Sequence, residues 1–367
     1  MGNVASTYGE LGEEKKAEEL EVVVLEKRKQ ILGDDHPDTL LAMSNLAVTK
    51  DSLGKTSEAE KLMSAVLEKR KQNLGDNHLD TLSAMGNLAE ICKEMGQFRR
   101  AEELEVVVLE KKKEILGENH PSTLLTMGNL AGTYFELGDF KKSKDLKLTV
   151  LEKRKQIFGA THLDTLRAMA NLAVSYSRSE EFKKAEELQL FVLENREQLL
   201  GANHPATLNA MGNLAKTYCD LEDFKKAVEL QDVVLEKTRQ LFGPDHRDTI
   251  YAMSDLSSTY RHIGEFTKAK ELKVLVLEKF EHVLGANHPT TLVAMANLAV
   301  TYGDAKEFQK AEDLEAVVLE RRKQYLGNNH PDTLLAMKSL AFRYRDQGKV
   351  KEAEELEKLI ENNKVDA

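Results

Sequence analysis

The chain has 367 residues, of which 41% are hydrophobic and 31% charged, and its net charge is −10. An acidic balance argues against nucleic acid as a partner, because phosphate binding needs a clustered basic face. Six prolines, no tryptophan and only two cysteines, Cys92 and Cys219, favour helices over sheets and exclude a disulfide-built secreted domain. No apolar run approaches the roughly 18 residues of a membrane span and no signal peptide opens the chain. The expectation is therefore a cytoplasmic protein with no membrane partner.

One interval organises everything else. His36, His78, His120, His162, His204, His246, His288 and His330 follow one another every 42 residues. A glycine stands three residues before each (Gly33 through Gly327) and a threonine three after (Thr39 through Thr333). Periods of 20–50 residues mark stacked repeats, in which each unit buries its apolar side against its neighbours. The expected class is all-α, a right-handed superhelical solenoid of antiparallel helix pairs with about nine repeats. Residues 1–367 form one array: a partial repeat over 1–33, seven full 42-residue repeats over 34–327, and a last repeat with a C-terminal cap over 328–367.

The array opens inside a pair, since Met1-Gly2-Asn3-Val4-Ala5 matches Met43-Ser44-Asn45-Leu46-Ala47. Val4 and Tyr8 then belong to an uncapped helix, and homo-oligomerisation through that end is one expectation. Residues 118–159 serve as a specimen repeat. Its first helix is expected to start at Ser122 or Thr123, where a hydroxyl can cap free amides. Leu124, Met127, Leu130, Ala131 and Tyr134 then form one apolar stripe at three- and four-residue spacing, and Gly138 ends the helix. The second helix should run from Phe140 to Lys155 with Leu146, Val150, Leu151 and Ile157 inward, and Gly159 should supply a left-handed C-terminal cap. At the end of the chain, Glu352 to Asn363 reads as a polar capping helix.

The shared pattern L-x-A-M-x-N-L-A-x-x-Y-x-x-x-G-x-F-x-K-A-E-E-L resembles a tetratricopeptide repeat, with Leu214, Ala215, Tyr218, Phe224 and Ala227 at its signature places. The eight residues beyond the usual 34, together with the L-G-x-x-H-P block, are similar to the kinesin light chain type. Nephrocystin-3-like arrays and the sensor regions of NLR-like proteins are similar too. Departures are local. Lys50 and Cys92 replace the tyrosine, Thr56 the aromatic, Glu180, Glu222 and Lys306 the turn glycine, and Asp255 and Ser339 the asparagine.

This resemblance implies that the first helix lines a concave groove. Comparison among the repeats shows variation at three of its positions, including Arg167, Asn209 and Tyr251 at the first, Lys216 at the second and Arg261 at the third. The second helix repeats E-K-R-K at its end and is expected to be a uniform solvated face. Seven near-constant asparagines, Asn3, Asn45, Asn87, Asn129, Asn171, Asn213 and Asn297, offer both a donor and an acceptor. They either clamp a bound peptide backbone, as the resemblance implies, or satisfy neighbouring groups; both readings stand. Gly86, Gly128 and Gly212 beside them suggest close approach by the next helix or by a ligand. Carboxylate-clamp arrays of the resembled kind carry lysine there, and only Lys338 fits, so a C-terminal carboxylate is not the expected ligand.

Chemistry is sparse. Equivalent histidines of neighbouring repeats should lie about 10 Å apart, a helix diameter, too far to share an ion. They should instead bond backbone where repeats join. Paired glutamates such as Glu18-Glu19 and Glu102-Glu103 read as solvated surface. No Walker loop, G-x-G-x-x-G or HExxH is present. The expected function is a non-enzymatic scaffold without cofactor or metal, binding a peptide or helix of a protein partner in the groove. Self-assembly through the array ends is the alternative.

Overall fold

The computed structural model describes residues 14–365. Among the described residues there are seventeen helices and no strand. A 16-residue type, termed A, alternates with a 19-residue type, termed B. The chain divides into two compact units, residues 1–181 and 182–367. In the first, B helix Glu14–Leu32 is followed by alternating A and B helices up to A helix Leu163–Arg178. In the second, B helix Phe182–Leu200 begins the same alternation, which closes with Pro331–Asp346 and Val350–Val365. Within each unit every helix packs on the one before and the one after it.

The specimen stripe is buried as expected at Leu124, Met127, Leu130 and Ala131, against Val150 and Leu151 of the following B helix. Alanine at the start of the B helices (Ala101, Ala227) is fully buried, where a larger side chain would push the pair apart. Ile157 is a correction: it faces solvent, because the last turn of Phe140–Phe158 extends past the preceding A helix. The C-terminal helix buries Ala353, Leu356 and Ile360 and shields the last pair.

The B-to-A junction assigns roles to the constant residues, and the cap differs from expectation. The A helix starts at Pro121, with His120, not Ser122 or Thr123, as its N-cap. Proline suits that first position because its missing N–H would have had no partner there. In all eight A helices the histidine Nδ1 accepts from the backbone N–H two residues on, at 3.1–3.2 Å. Each imidazole thus serves the junction backbone, with the proton assigned to Nε2. The threonine is fully buried at every junction, and at five of them it turns back. Thr81, Thr123, Thr207, Thr249 and Thr291 each donate to the carbonyl of the preceding junction glycine at 2.8–2.9 Å.

Two kinds of glycine separate here. Junction glycines such as Gly159 have φ 85° and ψ 168°. That is not the left-handed helical cap expected, but a region open essentially to glycine alone. At the A-to-B turn the N–H bonds run as Gly54 to Asp51 and Lys55 to Lys50, a Schellman closure. Glu180, Glu222 and Lys306 take its glycine place at φ of 59–61°. An ordinary side chain occupies that region at moderate cost, which explains why the turn glycine is replaceable and the junction glycine is not.

Candidate ligand-binding clefts on the A helices

On each A helix the apolar stripe faces the B helices, so the residues between the stripes are left on the open face. The first variable position (Leu41, Ser83, Leu125 and Arg167 in the first unit; Asn209, Tyr251, Val293 and Leu335 in the second) is exposed throughout. Between neighbouring A helices this face sinks into clefts floored by a B helix.

In the first unit, Pro121–Glu136 and Leu163–Arg178 enclose a cleft of about 230 Å³ over Phe140–Phe158. It gathers Asn129, Arg167 and Asn171 with Lys147 and Arg154 from the floor. In the second unit, Pro205–Asp220 and Arg247–His262 enclose about 390 Å³ lined by Asn209, Asn213, Lys216, Tyr251 and Asp255. A further cleft of about 260 Å³, between Pro289–Asp304 and Pro331–Asp346, is mostly apolar, with Val293, Val300, Val318 and Leu335 around Asn297 and with Glu315 and Arg322 also in its lining.

Asn45 and Asn87 lie on exposed A-helix surface and line none of these three clefts; Asn3, Val4 and Tyr8 fall outside the described residues. Asn129 Nδ2 donates to Glu90 Oε1 at 2.6 Å, and Asn213 Nδ2 to Asn209 Oδ1 at 3.2 Å. Asn45, Asn87, Asn171 and Asn297 are exposed. The cations are held by acids: Arg167 to Asp164 at 2.9 Å, Lys216 to Asp255 at 3.2 Å, and Arg261, half-buried, to Asp304 at 2.8 Å. Tyr251 stands edge-on to Phe280 with ring centres 5.6 Å apart.

Gly128 and Gly212 line clefts, yet nothing lies within 4 Å of a Cβ added to them or to Gly86. Close approach by the next helix is therefore corrected; these glycines hollow the cleft wall. Gly303 is the tight one, since an added Cβ would overlap the Arg343 guanidinium.

The B helices are not the uniform solvated face expected. The arginine of E-K-R-K is buried at Arg70, Arg154, Arg196 and Arg322. There Nη1 donates at 2.7–2.9 Å to a carbonyl in the first turn of the next A helix, on Asp80, Asp164, Ala206 and Asp332. This staple between consecutive helices explains why arginine recurs there, although Lys112, Thr238 and Phe280 take its place in three repeats. Glu18, read as solvated, is also largely covered and bonded by Lys50 and Lys55, which hold its carboxyl below the usual range.

One B-helix position varies strongly and points inward: Glu21, Met63, Glu105 and Lys147 in the first unit, Gln189, Gln231, Lys273 and Glu315 in the second. All but the half-buried Lys147 are buried. At Glu21, Met63, Glu105, Lys147, Lys273 and Glu315 the side chain meets the A helix 28 positions on. Thr133 donates to Glu105 at 2.5 Å, Lys147 to Ser175 at 2.7 Å, Lys273 to Thr301 at 2.8 Å, and Arg343 to Glu315 at 3.2 Å. Met63 shares its cluster with apolar Ile91. Burial raises the carboxyl pKa of Glu21, Glu105 and Glu315, lowers the amine pKa of Lys147, and pushes the Lys273 amine down to about 8.

Lys147 and Glu315 reach the cleft floors, so this position helps set their charge. Sequence reasoning missed it by treating the B helix as exterior. The available signal was a single place in an otherwise regular block that changes charge sign between repeats.

Among the described residues no group of three His, Cys, Asp or Glu could hold a metal ion, and no helix is long and apolar enough to cross a membrane. Both cysteines are free thiols.

Solved structures share the fold. A putative kinesin light chain array of nearly identical TPR-like repeats from Podosopora anserina has a TM-score of 0.51 and 26% identity, over 55% of this chain and 95% of that one. The apo quorum sensor NprR from B. thuringiensis reaches a TM-score of 0.64 at 13% identity, over 99% of this chain and 97% of its own. A Rap protein complexed with competence and sporulation factor gives 0.54 at 17% identity, over 98% of each chain. No curated protein matches in sequence. Tetratricopeptide repeat models match residues 53–114, 122–190, 178–236 and 218–278, and also 1–38 and 291–332. With the 42-residue helix pairs and the cleft-forming A helices, these matches place the chain in the tetratricopeptide repeat family.

Proposed function

We infer that this protein is a non-enzymatic scaffold whose A-helix clefts take an extended segment or a helix of a protein partner. The observation that carries this reading is the division of labour between repeats. The constant junction glycine and histidine, and the threonine at five of the junctions, have structural work. The first variable position of the A helices is exposed in every repeat, and from Leu125 to Leu335 it lines the clefts. An exposed position that varies along the cleft rims, with no packing partner to dictate it, suits a surface read by a ligand.

Exposed Asn171 and Asn297 can each donate to and accept from a peptide backbone. The mostly apolar cleft of the second unit, one of whose A helices also exposes Phe342, suits an aliphatic or aromatic anchor. The Rap protein solved with competence and sporulation factor supports the reading by fold alone.

The test is selection from a random peptide display library on the full chain, followed by binding to the Asn129→Ala, Asn171→Ala, Asn213→Ala triple variant. Selected peptides should bind the variant at least about tenfold more weakly, about 1.4 kcal/mol. Unchanged capture by a correctly folded variant would remove the amide clamp, and the absence of any selected peptide would remove the groove reading.

A further inference from the structure

Resting on the clefts as the ligand surface, we propose that the cleft between Pro121–Glu136 and Leu163–Arg178 is a subsite for an oxyanion on the bound segment. That oxyanion is a carboxylate or phosphoryl side chain. Lys147, Arg154 and Arg167 line this cleft, and no carboxylate does.

The local pairing leaves positive charge over. Buried Arg154 spends Nη1 on the Asp164 carbonyl at 2.8 Å, a neutral acceptor. Arg167, on the rim, pairs with the Asp164 carboxylate at 2.9 Å. Lys147 donates to the neutral Ser175 hydroxyl at 2.7 Å and lies 4.9 Å from the Phe135 ring centre. The further carboxylate acting on Lys147, Glu136, is exposed at the helix end. Three cations thus face one closely bonded carboxylate, and Asn171 adds an amide donor. Arg154 and Arg167 repel each other across this space, which an intervening anion would relieve. Partly desolvated guanidinium groups bind oxyanions more strongly than exposed ones, and their fork matches carboxylate and phosphoryl oxygens.

The other clefts lack the set. In the 390 Å³ cleft, Thr238 and Tyr251 replace Arg154 and Arg167, while Asp248 and Asp255 join the walls. In the apolar one, Glu315 and Leu335 stand in the places of Lys147 and Arg167. At about 230 Å³ the cationic cleft fits one side chain, not a whole small molecule.

The test titrates the full chain with inorganic phosphate and, separately, with N-acetylglutamate at fixed ionic strength, read by NMR of arginine side-chain N–H signals. Saturable shifts of Arg154 and Arg167 are expected, with the apparent Kd weakened at least about tenfold in Arg167→Gln and in Lys147→Gln. Response to phosphate alone assigns the subsite to a phosphoryl group; response to N-acetylglutamate, alone or with phosphate, assigns it to a carboxylate side chain. Absence of saturable shifts, or equal shifts in both variants, overturns the subsite. Arg167 is exposed, so its variant keeps the fold, which circular dichroism verifies. No peptide enters this titration, so its failure is separate from failure of the groove reading.

Discussion

Replacing Glu315 with Met and Arg343 with Ile would transplant into the second unit the pair Met63 and Ile91, which holds the same places in the first. Glu315 and Arg343 are both buried and joined at 3.2 Å, while Glu315 Oε2 and Arg343 Nε have no hydrogen-bond partner. Arg343→Ile alone strands the carboxylate in the core, a loss of about 3–5 kcal/mol. The double replacement removes both desolvation penalties and is expected to be neutral or stabilising by up to about 4 kcal/mol. Gly303 adds a third arm. Gly303→Ala should destabilise the wild type, where its Cβ would overlap the guanidinium, yet recover about 0.8–1 kcal/mol of helix propensity once Arg343 is Ile. Urea unfolding measures the sums, and hydrogen exchange on Pro289–Asp304 and Pro331–Asp346 localises them, because repeat arrays can open segment by segment. A double variant as unstable as the sum of its singles would refute the reasoning, showing that the pair is not a compensated buried charge couple.

Two further outcomes follow from the backbone and the core. Gly159→Ala should cost about 1–3 kcal/mol although open space surrounds the new Cβ, whereas Glu222→Gly should gain up to about 1 kcal/mol. Urea midpoints that move in the same direction for both would contradict the assignment of two different glycine conformations. Lys273 has its amine pKa lowered to about 8 from 10.5, so the folded state releases a proton that the unfolded chain keeps. Its contribution to stability is present above pH 10.5 and is lost as pH falls through about 8. Relative to Lys273→Met, the wild type should therefore gain stability between pH 8 and 10.5, and parallel curves in urea titrations would refute the burial of an ionisable amine.

The helix pairs, their period and the exposed A-helix position that varies are legible from residue spacing alone. Spacing of Leu124, Met127, Leu130 and Ala131 dictates which side of a helix is apolar, and glycine at a fixed place dictates where the chain can turn. These are local properties, readable without neighbours. What the polar residues do depends on packing between helices. Whether Arg154 lies in water or beneath the next helix, and whether Lys147 floors a cleft or waves in solvent, depends on how far one helix overhangs another. His120 capping the helix in place of Ser122, and Gly128 opening a wall where a close helix was expected, turn on the same packing distances. A long charged side chain carries no mark in the sequence of its burial, because its partners lie on the next A helix, 10 residues on for Arg154 and 28 for Lys147.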